Sequence, residues 1–296
     1  MNILILGKGY IGFYLNNYLS RMPDTNVTWL SKSIVDYTNP ADLYKYFAST
    51  SKPDWIINAS GYTGRPNVEA CELDKENCLK YNVLVPLQLT EAANYLGIPI
   101  IHIGSGCVYT GHEKEFEESD PTNFGASTYE SSFYSKTKDL FEKASAKNEK
   151  YIFRIRIPFN GVFEPKNYLY KILSYKHLIS CKNSITCVGD LVEFVGRFIN
   201  KPTRPPTGIY NVVNENAIEA AEVVEMLSDA GLMQKRNPDY QFVSLDDAKF
   251  KVARSNCVLS TSKINSIGCG MPDVRASMLD AIDSLKQMQN IIDKMQ

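Results

Sequence analysis

Short apolar runs alternate along the chain with longer stretches in which apolar residues recur every three or four positions. Asn2–Leu6, Val27–Leu30, Pro53–Asn58, Pro99–Ile103 and Tyr151–Ile157 are the short runs. They are too short for stable helices and nearly continuous in apolar character, as strands buried on both faces are. After the first run, Ile11, Tyr14, Leu15, Tyr18 and Leu19 fall at helical spacing. Further helices are predicted from Pro40 onward, over Cys71–Leu96 with a bend at Pro86, and from Tyr134 to Ala146. The acidic, turn-rich stretch Thr110–Thr128 reads as a loop over a site. Strands alternating with helices predict the α/β class, a Rossmann-type doubly wound parallel sheet.

Beyond Pro158 the alternation loosens. Asn167–His177, Leu191–Ile199, Ala217–Ala230 and Val274–Met295 have helical character, and Gly208–Val213 reads as a strand returning to the main sheet. The expected organisation is a cofactor-binding domain over 1–157, joined by a returning segment near 184–214. Residues 158–183 and 215–296 form a smaller, discontinuous substrate lobe.

Composition mainly excludes. Across 296 residues the net charge is −1, which draws the chain to neither nucleic acid nor an acidic membrane. No apolar run approaches a membrane span. Met1–Gly7 lacks a basic region and reads as a first strand, so a cytoplasmic location is expected. The seven cysteines contain no Cys-x-x-Cys pair and there are three histidines, so no metal is expected and the thiols are read as free.

The chemistry gathers at predicted strand ends, where ligands of such sheets bind. Gly7-Lys8-Gly9-Tyr10-Ile11-Gly12 follows the first strand and opens a helix, the pattern of a pyrophosphate cradle. After the second strand come Ser31 and Lys32 in place of an acidic residue, which favours NADPH over NADH. Asp36 lines the adenine pocket or belongs to the turn before Pro40. Ala59, Ser60 and Gly61 end the third strand with little bulk, leaving room for a cofactor. Thr63 and Arg65 lie in the polar loop beyond, and Asn82 in the helix after it; these are candidate substrate contacts. Ser105 ends the fourth strand, and Cys107 falls on its side if the chain stays extended. Tyr134 and Lys138 share a helix face, where the ammonium is expected to pull the phenol toward the working pH range.

Together these residues resemble the extended short-chain dehydrogenase/reductases. In that family a Ser or Thr hydroxyl holds the substrate oxygen, Tyr passes the proton, and Lys orients the nicotinamide ribose. Gly61–Val68, Gly106-Cys107, Ser132–Lys138, Arg154–Pro158, Pro165–Tyr168, Gly208–Asn211 and Arg254-Ser255-Asn256 resemble, more narrowly, the plant-type bifunctional UDP-4-keto-6-deoxyglucose 3,5-epimerase/4-reductases. That resemblance implies a UDP-sugar substrate, NADPH and a homodimer. It also implies an epimerase acid/base pair at Cys107 and Lys171, with Asn167 and Arg254 among the sugar-nucleotide contacts. The 4-ketone acidifies C3–H and C5–H because the carbanion is an enolate, and such a pair removes and returns those protons. Two departures stand out. The glycine turn is one residue shorter than the usual Gly-x-x-Gly-x-x-Gly, and Ser105 replaces the usual Thr.

Overall fold

The structure, a computed structural model, describes residues 1–64, 68–244, 247, 250 and 252–295. The chain runs β1 (Asn2–Leu6), α1 (Tyr10–Leu19), β2 (Asn26–Leu30), α2 (Pro40–Ser49) and β3 (Trp55–Asn58). Then come α3 (Lys75–Leu79), α4 (Val85–Leu96), β4 (Ile100–Ser105), β5 (Gly111–Phe116), α5 (Phe133–Ala144) and β6 (Tyr151–Ile155). The remainder is β7 (Pro158–Phe159), α6 (Tyr168–Ile172), β8 (His177–Leu178), β9 (Thr186–Cys187), α7 (Val188–Ile199) and β10 (Gly208–Asn211). It closes with α8 (Ala220–Asp229), α9 (Leu232–Arg236), β11 (Gln241–Phe242), β12 (Cys257–Leu259), α10 (Ser262–Ser266) and α11 (Val274–Met295).

Six strands form one parallel sheet in the order β10-β6-β4-β3-β1-β2. The order reverses between β1 and β3, which makes their carboxyl ends the crevice where such sheets take ligands. Alternation along the strands explains the apolar runs. Ile3, Ile5, Ile57, Ile101 and Phe153 point to one face and pack with α1 and α7. Leu4, Leu6, Ile56 and Ile100 point to the other, against α2 and α4. A second core, built from Phe159, Leu169, Ile172, Val223, Leu227, Met278 and Ile282, holds the smaller lobe.

Four expectations are corrected. The helix expected over Cys71–Leu96 is a 3-10 turn (Val68–Glu72), α3, a π-helical turn (Lys80–Leu84) and α4. Pro86 has no N–H for an ordinary helical bond, and the wider turn just before it absorbs the mismatch. Thr110–Thr128 contains β5, which pairs in parallel with β12 from far along the chain. Of that strand only Phe116 is fully buried, so no apolar alternation announced it. The helix expected over Asn167–His177 ends at Ile172, and His177 begins a strand paired with β11. Finally, Ile264, Cys269 and Met271 pack into the main-sheet core, so 215–296 is not wholly part of the second lobe.

Candidate active site

At the β1–β3 edge the backbone is drawn tight. Gly7 has φ +104°, and a Cβ there would lie 2.7 Å from the Ser60 backbone nitrogen. A Cβ at Gly12 would fall 2.1 Å from the Gly7 carbonyl, so α1 starts directly on the turn. Gly9, by contrast, has nothing within 4 Å of a Cβ position and precedes α1 without a side-chain cap. A backbone concavity with free helix N–H groups and no side chain in the way fits a dinucleotide pyrophosphate. Lys8 lies over the Trp29 ring at 4.9 Å, and Trp29 Nε1 donates to the Gly7 carbonyl at 3.1 Å. Tyr10 and Ile11 begin α1, with Ile11 packed on the sheet core.

Around the crevice the other candidates are placed as follows. Lys32 donates to the Tyr81 hydroxyl at 2.6 Å, and Ser31 bonds Ser33 at 2.7 Å. Asp36 accepts from the Thr38 backbone and hydroxyl, the turn role of its two alternatives. The Ala59 N–H is bonded to Leu6, and Ser60 donates to Asn58 Oδ1 from both its N–H and its hydroxyl. Asn58 is held in turn by His102, whose other ring nitrogen meets Thr90. Burial pushes His102 down to about 3, so this bracing ring is neutral. Gly61 faces Lys138: a Cβ there would lie 3.6 Å from its Nζ.

Helix α5 carries the Tyr–Lys pair, and several groups fix it. The Ser132 hydroxyl caps its N-terminus by accepting from Ser135 N, while Glu72 accepts from Phe133 N at 2.6 Å. Asp139, fully buried, accepts from Thr122 and Ala126 and ties the preceding loop down. Glu142 takes a bidentate pair from Arg154 on β6 at 3.0 and 2.6 Å. Tyr134 and Ser105 are both buried, and the Ser105 hydroxyl is near enough to act on the Tyr134 phenol.

The expectation that Lys138 lowers the Tyr134 pKa is overturned. Burial pushes the phenol up, and Cys107 adds to the rise, while the Ser105 hydroxyl works against it. The ammonium sits 5.6 Å above the ring and is itself disfavoured by burial. Tyr134 therefore stays protonated at neutral pH, the form that can donate a proton.

Cys107 lies in the turn after β4, not in the extended segment expected, and its N–H donates to Ser105 Oγ at 3.2 Å. Half-buried, it packs against a cluster of Tyr134, Cys71 and Cys78. Arg254, paired with Glu69 at 2.8 Å and stacked on Phe250 at 4.4 Å, is near enough to feel Cys107. Lys171, on α6, feels Arg254 in turn. Burial lowers its pKa, and the neighbouring cations Arg254 and Lys166 lower it further. Ser105, Cys107, Tyr134 and Lys138 thus stand together, and Arg254 is close enough for its charge to act on both Cys107 and Lys171.

Two predicted substrate contacts have their polar groups engaged elsewhere. Asn82 accepts from Tyr62 N and donates to Tyr62 O and Thr137 Oγ1, holding the 61–64 loop on α5. Asn167, fully buried, caps α6 and donates to Asn160 and Val162. Both therefore support the walls of the site and present no free amide to a ligand. Thr63 is exposed on its loop, and Arg65 lies outside the described residues. Glu72, Glu142 and Arg156 were missed as supports. Their signal was present, since charged residues at 154 and 156 interrupt a buried apolar run and buried charges need partners.

A family model described as the RmlD substrate binding domain matches residues 1–287. The Arabidopsis thaliana bifunctional dTDP-4-dehydrorhamnose 3,5-epimerase/dTDP-4-dehydrorhamnose reductase is 30% identical over 293 residues, covering 94% of this chain and 91% of the relative. Among solved structures, the L780 UDP-rhamnose synthase of Acanthamoeba polyphaga mimivirus superposes with TM-score 0.84 at 24% identity, over 96% of this chain and 99% of that one. A dTDP-4-dehydrorhamnose reductase from Bacillus anthracis, in complex with NADP, superposes with TM-score 0.76 at 16% identity, over 96% and 98% of the two chains.

Proposed function

The chain belongs to the RmlD substrate-binding-domain family of nucleotide-sugar reductases, and from that premise we propose that it converts UDP-4-keto-6-deoxy-D-glucose to UDP-L-rhamnose. The reaction inverts C3 and C5 and then reduces C4 with NADPH. The observation that carries this reading is the grouping just described: a reductase trio (Ser105, Tyr134, Lys138) packs against the Cys107 thiol, and Arg254 is close enough to act on both that thiol and the half-buried Lys171. NADPH, the reduced form of the NADP bound in the Bacillus anthracis structure, would supply the hydride when bound. Gly7, Gly9 and Gly12 shape its pyrophosphate site, and Ser31 and Lys32 offer a hydroxyl and a cation at the end of β2.

Ser105 donates to the C4 oxygen and Tyr134 to the oxyanion, so a proton reaches oxygen as hydride reaches carbon. For inversion, Cys107 as thiolate takes a proton from C3 or C5 and the C–H electrons pass into the enolate. Lys171 returns a proton to carbon from the opposite face. A lysine with its pKa lowered by burial gives up that proton more readily. The thiol proton and the neutral amine then re-equilibrate through solvent. Leu84 and Leu140, exposed on neighbouring helical segments, offer an apolar face to a second copy, and light scattering tests that homodimer.

Incubating the protein with UDP-4-keto-6-deoxy-D-glucose and NADPH, and reading the product by NMR, tests the assignment. A rhamnose ring in the L series is expected. A 6-deoxy-D-hexose would contradict the epimerase half, and no NADPH oxidation would contradict the reductase half.

A further inference from the structure

Two arginines stand two residues apart where β6 ends, and they are treated differently. The charge of Arg154 is met by Glu142. Arg156, 1% exposed, has no carboxylate partner among the described residues. Its Nη1 donates to the Gly106 carbonyl at 3.1 Å and to Ser255 Oγ at 2.7 Å. Its Nη2 donates to Asn183 Oδ1 at 2.6 Å and to the Ser255 carbonyl at 3.1 Å. Nε is buried with no acceptor. The remaining contact of Nη1 is Cys107 Sγ at 3.9 Å, the outer range of an N–H···S bond.

A buried cation surrounded by neutral groups is costly, and such a charge usually has a counter-charge. The local backbone adds to the cost. Ile157, β-branched, is held at φ +37°, a conformation such residues rarely adopt. Strain of this kind, ~1–3 kcal/mol, persists where the surroundings demand it, and it gathers at functional sites. The guanidinium stem also lies flat on the turn before the thiol: a Cβ at Gly106 would fall 2.8 Å from Arg156 Cγ. The unpaired donor and the uncompensated charge thus both belong to the residue whose Nη1 reaches Cys107 Sγ, and the strained Ile157 follows it in the chain.

We infer that Arg156 is the positioning residue of the Cys107 thiol, and that its unpaired charge is placed to meet the negative charge that Cys107 carries when it acts as a base. It fixes the Gly106–Cys107 turn and supplies positive charge to the one form of Cys107 that can take a proton from carbon. Through Ser255 it also joins that turn to the segment that carries Arg254. The inference deepens the epimerase half of the proposed function and rests on it.

The test uses the ligand-free protein and four forms of it: wild type, Arg156→Met, Arg156→Lys and Ser255→Ala. The rate of iodoacetamide alkylation of Cys107 at neutral pH is followed by peptide mass mapping. Arg156→Met is expected to slow alkylation by about tenfold, since thiolate character governs the rate. Arg156→Lys should recover most of that loss by restoring the charge, and Ser255→Ala should fall between. NADPH oxidation with already epimerised 4-keto sugar should stay within about threefold in every variant, because Tyr134 and Lys138 are untouched. Alkylation at the wild-type rate in Arg156→Met overturns the inference, and so does a lysine variant as slow as the methionine one. If Arg156→Met does not fold, Ser255→Ala decides: slower alkylation supports the inference and an unchanged rate overturns it. A wild type that shows the predicted alkylation pattern across the variants but no solvent exchange at C3 and C5 contradicts the epimerase reading while leaving the hold of Arg156 on the thiol standing.

Discussion

The two halves of the site are built by different means. The proposed reductase half hangs mainly on one helix, with Ser105 added from the end of β4. Tyr134, Lys138 and Glu142 recur every four residues on α5, and Glu142 locks that face to β6 through Arg154. The thiol half is assembled from four separate places: the turn after β4, the end of β6, helix α6 and the segment before β12. A helix fixes its own spacing, so the first half needs only one good packing contact to be oriented. The second half depends on long-range contacts such as Arg156–Ser255 and Arg254–Glu69. On the proposed reading, the reduction machinery is therefore expected to be robust, and the inversion machinery separable from it.

That separation can be broken most directly at the two reacting groups. Tyr134→Phe is expected to reduce NADPH oxidation by about 10²–10⁴-fold while leaving deuterium exchange at C3 and C5 in place. Cys107→Ala should do the reverse by a similar factor, losing exchange but still reducing sugar that is already epimerised. If both activities fall together in either variant, the halves are not independent.

The next effect is on stability. Glu142→Ala leaves the buried Arg154 charge unpaired, and the expected loss is ~3–5 kcal/mol in urea unfolding. Arg254→Ala, at the half-exposed pair with Glu69, should cost far less stability while weakening substrate binding. Equal losses would mean that the second half is as rigidly framed as the first.

The smallest effect is on pH dependence. Lys171 has its pKa lowered from 10.5 by burial and by neighbouring cations. As pH rises through that lowered value the ammonium is lost, and with it the proton proposed to complete inversion. Exchange at C3 and C5 should therefore fall at a pH below 10.5, and Tyr134, shifted upward, should hold its proton across the same range. An exchange rate still flat at pH 10.5 would remove Lys171 from the acid role.

The sheet and α5 were legible in the sequence because their signals are local. Five apolar runs, the glycine turn and the four-residue spacing of Tyr134 and Lys138 each report on their own neighbourhood. What escaped is non-local. Strand β5 forms by pairing with residues far along the chain, and Phe116 alone hints at it. Asn167 looked like a ligand contact because nothing in a linear reading shows that Asn160 and Val162 take its donors. The pKa of Tyr134 went the other way because burial, which the sequence does not display, outweighs a lysine lying over the ring face.

The central claim is that one ketone serves both halves of the site. It is tested by incubating the wild-type protein with UDP-4-keto-6-deoxy-D-glucose in deuterated water without NADPH, and reading C3 and C5 by proton NMR. Loss of both proton signals through exchange is predicted. Retention of both would contradict the account and leave a reductase alone.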